Sequence, residues 1–182
     1  MLFRSDLIDY NGAAAAGAPN YQNIAKATAN GEELEIHGGA VGGFTGDLSV
    51  TWLATKVVDR GFDPSATATL VQGQRLLRRP ATSGSFRLGY VGIDRLKLGA
   101  VATYVGDRDD RDFSAFPAKA VTLKAYALYD LSGEYALPAG GAKNPEYAVT
   151  LRLANLTDVI YQSVQGYKAP GRTILAGVRV AK

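Results

Sequence analysis

Tyr147-Ala148-Val149-Thr150-Leu151-Arg152-Leu153-Ala154 sets Tyr147, Val149, Leu151 and Leu153 on one face of an extended segment and Ala148, Thr150, Arg152 and Ala154 on the other. Asn155 and Asp158 then break the alternation with turn chemistry, and Pro170-Gly171 close a loop before Thr173 to Val180 resumes it. Ile174, Ala176, Val178 and Val180 form a second apolar face. Two alternating strands joined by a loop suit a soluble sandwich and a membrane barrel alike, because barrel strands give a weak signal per segment.

Composition narrows the choice. A chain of 182 residues suffices for one domain. Cysteine is absent, which excludes disulfides and thiolate metal sites. A net charge of +3, with no Lys/Arg run interleaved with aromatics, argues against nucleic acid as a partner. The 10 Tyr and 21 Gly suit an antiparallel barrel, with aromatics in interfacial girdles and glycines at turns. No stretch approaches the roughly 20 apolar residues of a membrane helix. Mean hydropathy near zero (−0.04) does not oppose a barrel, in which only every second residue faces lipid.

Outward from the opening stretch, the same alternation recurs between turn signals and no helical period is sustained. The pattern predicts strands at 2–10, 21–38, 47–60, 82–91, 96–107, 121–137, 147–154 and 173–180, eight in all. Leu34 and Ile36 oppose Glu33, Glu35 and His37, and Gly31, where the alternation changes register, predicts a bulge. Leu48, Val50, Trp52 and Ala54 oppose Asp47, Ser49, Thr51 and Thr55, while Phe86, Leu88 and Tyr90 oppose Ser85, Arg87 and Gly89. Asp107-Arg108-Asp109-Asp110-Arg111-Asp112 is too polar for hydrocarbon and predicts a loop. Several strands reach or exceed the roughly 9–11 residues that cross a tilted bilayer. Turns at 39–46, 92–96 and 138–146 are tight or Gly-rich, whereas 11–20, 61–79, 107–120 and 162–171 are longer or polar. Short turns at one end and long loops at the other, with an even strand count, favour an all-β antiparallel transmembrane β-barrel segment.

The motifs carry a resemblance. Phe3-Arg4-Ser5-Asp6-Leu7-Ile8-Asp9-Tyr10, Tyr21-Gln22-Asn23, Lys26-Ala27 and Gly31-Glu32-Glu33-Leu34-Glu35 resemble a strand pair in the last third of TonB-dependent outer-membrane receptors. Leu77-Arg78-Arg79-Pro80, Gly106-Asp107-Arg108-Asp109-Asp110-Arg111-Asp112-Phe113, Tyr129-Asp130-Leu131 and Ala154-Asn155-Leu156-Thr157-Asp158 follow the order and spacing of the vitamin B12 (cobalamin) receptor subfamily. The Asn-Leu-x-Asp and Gly-Arg elements are shared with siderophore and haem receptors. Arg78-Arg79, Asp110-Arg111-Asp112-Phe113 and Gly166-Tyr167 together favour cobalamin.

The resemblance implies a plugged 22-stranded barrel of the cell outer membrane, of which residues 1–182 supply the last eight strands, without the plug domain. It implies uptake of cobalamin or a related corrinoid, no enzymatic activity and no cofactor, with the lipid bilayer as surroundings and the TonB complex engaged through the missing N-terminal plug. A siderophore or haem receptor, or a stand-alone eight-stranded structural barrel, is the alternative. Met1 to Asp6 lacks the apolar core of a signal peptide, so a fragment or an internal start is expected. Val180-Ala181-Lys182 departs from the usual aromatic ending of outer-membrane barrels, which puts efficient insertion in question.

By match to the family pattern, the cargo contacts are Arg78, Phe113 and Tyr167, with Phe113 standing where a tyrosine is expected. Aromatic rings offer rigid contact area, and Arg offers fixed donors for amides and phosphate. Tyr167 also reads as an interfacial girdle residue. His37, the only histidine, lies beside Glu33 and Glu35, but three alternate side chains of one strand do not close a coordination sphere. Asp109, Asp110 and Asp112, interleaved with Arg108 and Arg111, read as a solvated ion-pair network rather than a metal site. Without a motif around His37, no catalytic triad can be assembled.

Overall fold

The computed structural model describes residues 2–10, 21–61, 70–114, 116–138 and 145–181. Twelve strands run through them: β1 (Leu2–Tyr10), β2 (Tyr21–Val41), β3 (Phe44–Asp59), β4 (Thr82–Ile93), β5 (Leu96–Val105), β6 (Arg108–Asp112), β7 (Lys119–Leu123), β8 (Tyr126–Ala136), β9 (Glu146–Ala154), β10 (Gln162–Val164), β11 (Tyr167–Lys168) and β12 (Thr173–Ala181). Eight form one antiparallel sheet in the order β1-β2-β3-β4-β5-β8-β9-β12. Every neighbour in the sheet is the next long strand in sequence, as in an up-and-down barrel. β1 and β12 do not pair, so the sheet is an open wall with two edges.

Register turns the alternation of single strands into continuous bands. Gly46, Leu88, Ala100, Leu131, Leu153 and Ile174 stand opposite one another in turn from β3 to β12. Phe44, Tyr90, Leu98, Gly133, Leu151 and Ala176 form the adjacent band nearer the tight turns, where the Phe44 and Tyr90 rings lie 4.4 Å apart. On the other face Asp47, Arg87, Val101 and Asp130 align, as do Lys97, Glu134, Thr150 and Gly177. Glu134 binds Arg179 at 2.8 Å and Lys97 at 3.4 Å, and Asp130 takes Arg152 at 2.6 Å. One face is greasy and the other ionic.

A soluble sheet of this size would bury its apolar face in a core. Among the described residues only Ala27, Val57, Leu123 and Ala148 are buried apolar side chains. Trp52, Phe86 and Tyr104 keep 44–46% of their surface open, so they do not gather into the core a sandwich requires. An exposed apolar band that runs from β3 to β12 needs lipid as its solvent.

Four expectations need correction. Gly31 is not a bulge: it pairs in register with Leu53, and the shifts in the β2–β3 ladder fall at Lys26/Ala27 and Gly38/Val41. A Cβ on Gly31 would stand 2.8 Å from the Trp52 carbonyl oxygen, so glycine is needed there for close backbone approach. The charged run is not a loop but β6, paired to β7 from Arg108/Leu123 to Asp112/Lys119. The strand expected over 121–137 is divided between β7 and β8 at Lys124-Ala125, because β7 leaves the wall to pair with β6. The loop expected over 162–171 contains the hairpin β10–β11. The loop expected at 11–20 and most of the return at 138–146 lie outside the described residues, as does 62–69 of the long loop.

Candidate functional site: the outer loop cluster

At the end of the wall opposite the tight turns, three chain segments rise above β3, β5, β8 and β9: the loop over 70–81, the β6–β7 hairpin and the β10–β11 hairpin. The loop over 70–81 is tied first to its own strand. Val57 N–H donates to the Gln74 carbonyl, Gly73 N–H to the Val57 carbonyl, and Leu76 N–H to Thr55 Oγ1 at 3.0 Å. Arg75 then grips β6 with a two-pronged fork, Nε to Asp109 Oδ2 and Nη2 to Asp109 Oδ1, both at 3.1 Å. A planar guanidinium and a carboxylate match edge to edge, which fixes direction as well as distance. Asp109 accordingly holds the Arg75 guanidinium protonated above its ordinary range, against the cost of partial burial.

Arg78 follows with φ 59°, a left-handed backbone that costs a side-chain-bearing residue about 1–2 kcal/mol. Two bonds hold it: its N–H donates to the Asp109 carbonyl at 2.8 Å, and Nε donates to Asp110 Oδ1 at 2.8 Å. Asp110 is 1% exposed. A carboxylate this deep survives ionised only if its lone pairs are filled. Oδ1 also accepts Arg111 N–H, and Oδ2 accepts Gln165 N–H from the β10–β11 hairpin, each at 2.8 Å. Burial opposes ionisation of Asp110, but these N–H donors and Arg78 outweigh it and hold the carboxyl below the usual carboxylate range.

Arg108, 3% exposed, makes the second tie between the hairpins. Its Nη2 donates to the Gln162 carbonyl at 2.7 Å, and its guanidinium lies 5.2 Å from the centre of the Tyr126 ring, which packs 4.3 Å from Tyr161. Below, Asn155 staples the exit from β9: its Oδ1 accepts Val159 N–H and its Nδ2 donates to the Val159 carbonyl, both at 2.9 Å. Asp158 Oδ1 accepts Arg172 N–H at 2.7 Å and stands so close to Gly171 that a Cβ there would lie 2.7 Å away. Asn155 and Asp158 both have positive φ, as expected of turn formers.

The three sequence-derived contact residues therefore share one cluster. Arg78 lies in the first segment, Phe113 (61% exposed) just beyond β6, and Tyr167 (75% exposed) in β11. Among the described residues no hydrogen bond, ion pair or ring contact joins these three to one another. Their segments are joined through Asp110. Expecting a solvated ion-pair network was wrong at its centre: Arg108, Asp110 and Arg111 are buried, and Asp109 and Asp110 receive the side chains of Arg75 and Arg78 from the loop over 70–81, with the Arg111 backbone N–H as a further donor to Asp110. Sequence reasoning misses Arg75, Gln162 and Gln165, and reads Asp110 as a solvated group where it is buried. The one local signal was six consecutive charges without a Gly or Pro to turn them, which is unlike a loop.

Long antiparallel strands with lipid-type bands, tight turns at one end and tied loops at the other match a known family. The model of TonB dependent receptor-like β-barrels aligns with residues 2–156. The chain belongs to the TonB-dependent receptor barrels. Solved receptors and transporters agree in shape. The pyoverdine outer-membrane receptor FpvA of Pseudomonas aeruginosa PAO1, bound to pyoverdine, superposes with a TM-score of 0.68 at 17% identity, over 100% of this chain and 26% of the receptor. The FrpB iron transporter of Neisseria meningitidis gives 0.69 at 16% identity, over 97% of this chain and 28% of that one. BauA, the ferric preacinetobactin receptor of Acinetobacter baumannii, gives 0.68 at 13% identity, over 98% and 26%. At such identities the likeness is one of fold. The chain spans about a quarter of the length of these solved proteins, and its open sheet is a segment of an outer-membrane barrel wall.

Proposed function

We propose that residues 1–182 form the C-terminal wall of a plugged TonB-dependent receptor that takes up cobalamin or a related corrinoid, with Arg78, Phe113 and Tyr167 touching the cargo. The observation that carries this reading is the outer loop cluster, in which Asp110 ties the segment of Arg78 to the hairpin of Tyr167 above the lipid band. Among the described residues, Nη1 and Nη2 of Arg78 have no partner, since only Nε is used by Asp110. They supply donors for cargo amides and phosphate, while the exposed rings of Phe113 and Tyr167 supply flat apolar area. The motif order favours the corrinoid. Uptake would draw on the TonB complex through a plug that these residues do not include.

A second reading is a ferric siderophore receptor, which the printed descriptions of FpvA and BauA favour. Donors and aromatic rings serve either cargo. Equilibrium binding of cyanocobalamin, ferric pyoverdine and a ferric catecholate to the full-length receptor separates them. Saturable cyanocobalamin binding supports the first reading, and binding of an iron chelate alone replaces it with the second. In a receptor that binds cyanocobalamin, Tyr167→Ala should cost about 1–2 kcal/mol, as for other aromatic hot spots. Unchanged affinity would make Tyr167 a girdle residue only.

A further inference from the structure

Asp110 is the most buried charged side chain among the described residues, and its two oxygens are divided between two loops. Oδ1 receives Arg78 Nε and Oδ2 receives Gln165 N–H, two residues before Tyr167. We propose that Asp110 is a positioning residue that sets Arg78 and Tyr167 into a single prearranged cargo surface. The inference rests on the reading of those two residues as cargo contacts.

The local geometry supports it from both sides. Arg78 sits in a left-handed conformation that an arginine does not choose by itself, and the bond to Asp110 fixes the direction of its guanidinium through Nε while sparing the terminal nitrogens. On the other side, Gly166, with φ 85°, donates its N–H to Gln162 Oε1 at 2.8 Å, so the turn that carries Tyr167 is closed on one flank by Gln162 and on the other by Asp110. A cargo that meets loops already fixed loses less entropy on binding than one that must order them. Two other ties, Arg75 to Asp109 and Arg108 to the Gln162 carbonyl, would survive loss of the Asp110 carboxylate. Removal of the charge should therefore loosen the two contact residues without unfolding the cluster.

The test uses the full-length receptor in detergent, as wild type, Asp110→Asn, Asp110→Ala and Arg78→Lys. Without cargo, amide hydrogen exchange in Asp110→Ala should speed up roughly tenfold in peptides covering both 76–80 and 163–168, the order expected for loss of a charged hydrogen bond. Peptides of β3 and β5 should not change, nor should the thermal midpoint. Acceleration in only one loop, or in neither, overturns the proposal. With cyanocobalamin as probe, Asp110→Asn and Arg78→Lys should each weaken binding roughly tenfold at an unchanged midpoint, because lysine cannot engage Asp110 through Nε and still offer two donors. Wild-type affinity in Asp110→Asn also overturns it. A wild-type receptor indifferent to cyanocobalamin sinks the corrinoid reading alone, and the exchange experiment then decides whether Asp110 couples the loops.

Discussion

Asn155 shows how much one polar side chain can hold in place. It is 5% exposed, has φ 51°, and both ends of its amide are bonded to Val159. Asn155→Ala loses these bonds and with them the local side-chain bonding that lets asparagine adopt the left-handed region more readily than alanine, a combined cost of about 2–3 kcal/mol. Asn155→Gly keeps the backbone conformation and should fall between alanine and wild type. Thermal unfolding of the full-length receptor ranks the three, and equal midpoints would deny the staple its role. Asp110 predicts a pH dependence. Its carboxyl is held below the usual range when the loop cluster is closed, so its contribution to keeping the two loops closed, rather than to the unfolding midpoint of the barrel, is fully present above the ordinary value of about 3.9 and is lost as pH falls through the lower value of the closed cluster. The 163–168 hairpin should lose amide protection in that acid window, after correction for intrinsic exchange. Asp110→Asn should show no such transition.

Among the elements, the β2–β3 connection and the lipid-facing bands make the sharpest claims. Val41 pairs with Phe44 across Gly42 and Gly43, whose φ values of 59° and 85° are those of the two-residue turn that matches strand twist. A Cβ on Gly43 would stand 2.8 Å from the backbone nitrogen of Gly92 in the next hairpin. Gly43→Ala should therefore destabilise the receptor by at least the roughly 1–2 kcal/mol of the left-handed penalty. Gly42→Ala, with nothing within 4 Å of its Cβ, should pay only the conformational part. Leu131 lies in the middle of a band that crosses from β3 to β12. Leu131→Arg should destabilise the folded barrel by about 2–4 kcal/mol, the depth-dependent cost of a charge facing lipid, whereas Thr103→Arg on the ionic face should cost far less. Reversible unfolding in lipid vesicles measures both, and equal effects would mean the two faces are wrongly assigned.

For the whole molecule, the decisive fact is that the wall does not close. β1 and β12 each present an edge with no partner in the sheet. Produced alone in detergent, residues 1–182 should associate through these edges into mixed oligomers. A monodisperse monomer that resists denaturation by dodecyl sulfate would instead mean that the edges find each other and that a small barrel forms. Under the corrinoid reading, the isolated wall should bind cyanocobalamin far more weakly than the full-length receptor, since one loop cluster must offset several kcal/mol of lost translational and rotational freedom without the remaining loops.

Strand positions were readable in the sequence because side-chain alternation is a local property: Leu48 to Trp52 or Tyr147 to Leu153 declare two faces without reference to any other strand. The turn formers Asn155 and Asp158 were equally legible, since positive φ restricts residue choice at the site itself, whereas the turn expected over 39–46 is too wide: β2 runs on to Val41 and β3 starts at Phe44. Family motifs propose Arg78, Phe113 and Tyr167 as cargo contacts but carry nothing about the bonds that hold Arg78 and the turn before Tyr167. Where β7 leaves the wall at Lys124, and why Gly31 is a close approach rather than a bulge, depend on the strand alongside. Only the tertiary structure decided that Arg75 and Arg78, some thirty residues earlier, reach Asp109 and Asp110. Adjacent residues of a strand point to opposite faces, so the pairing of a charge there is set by what folds back over it.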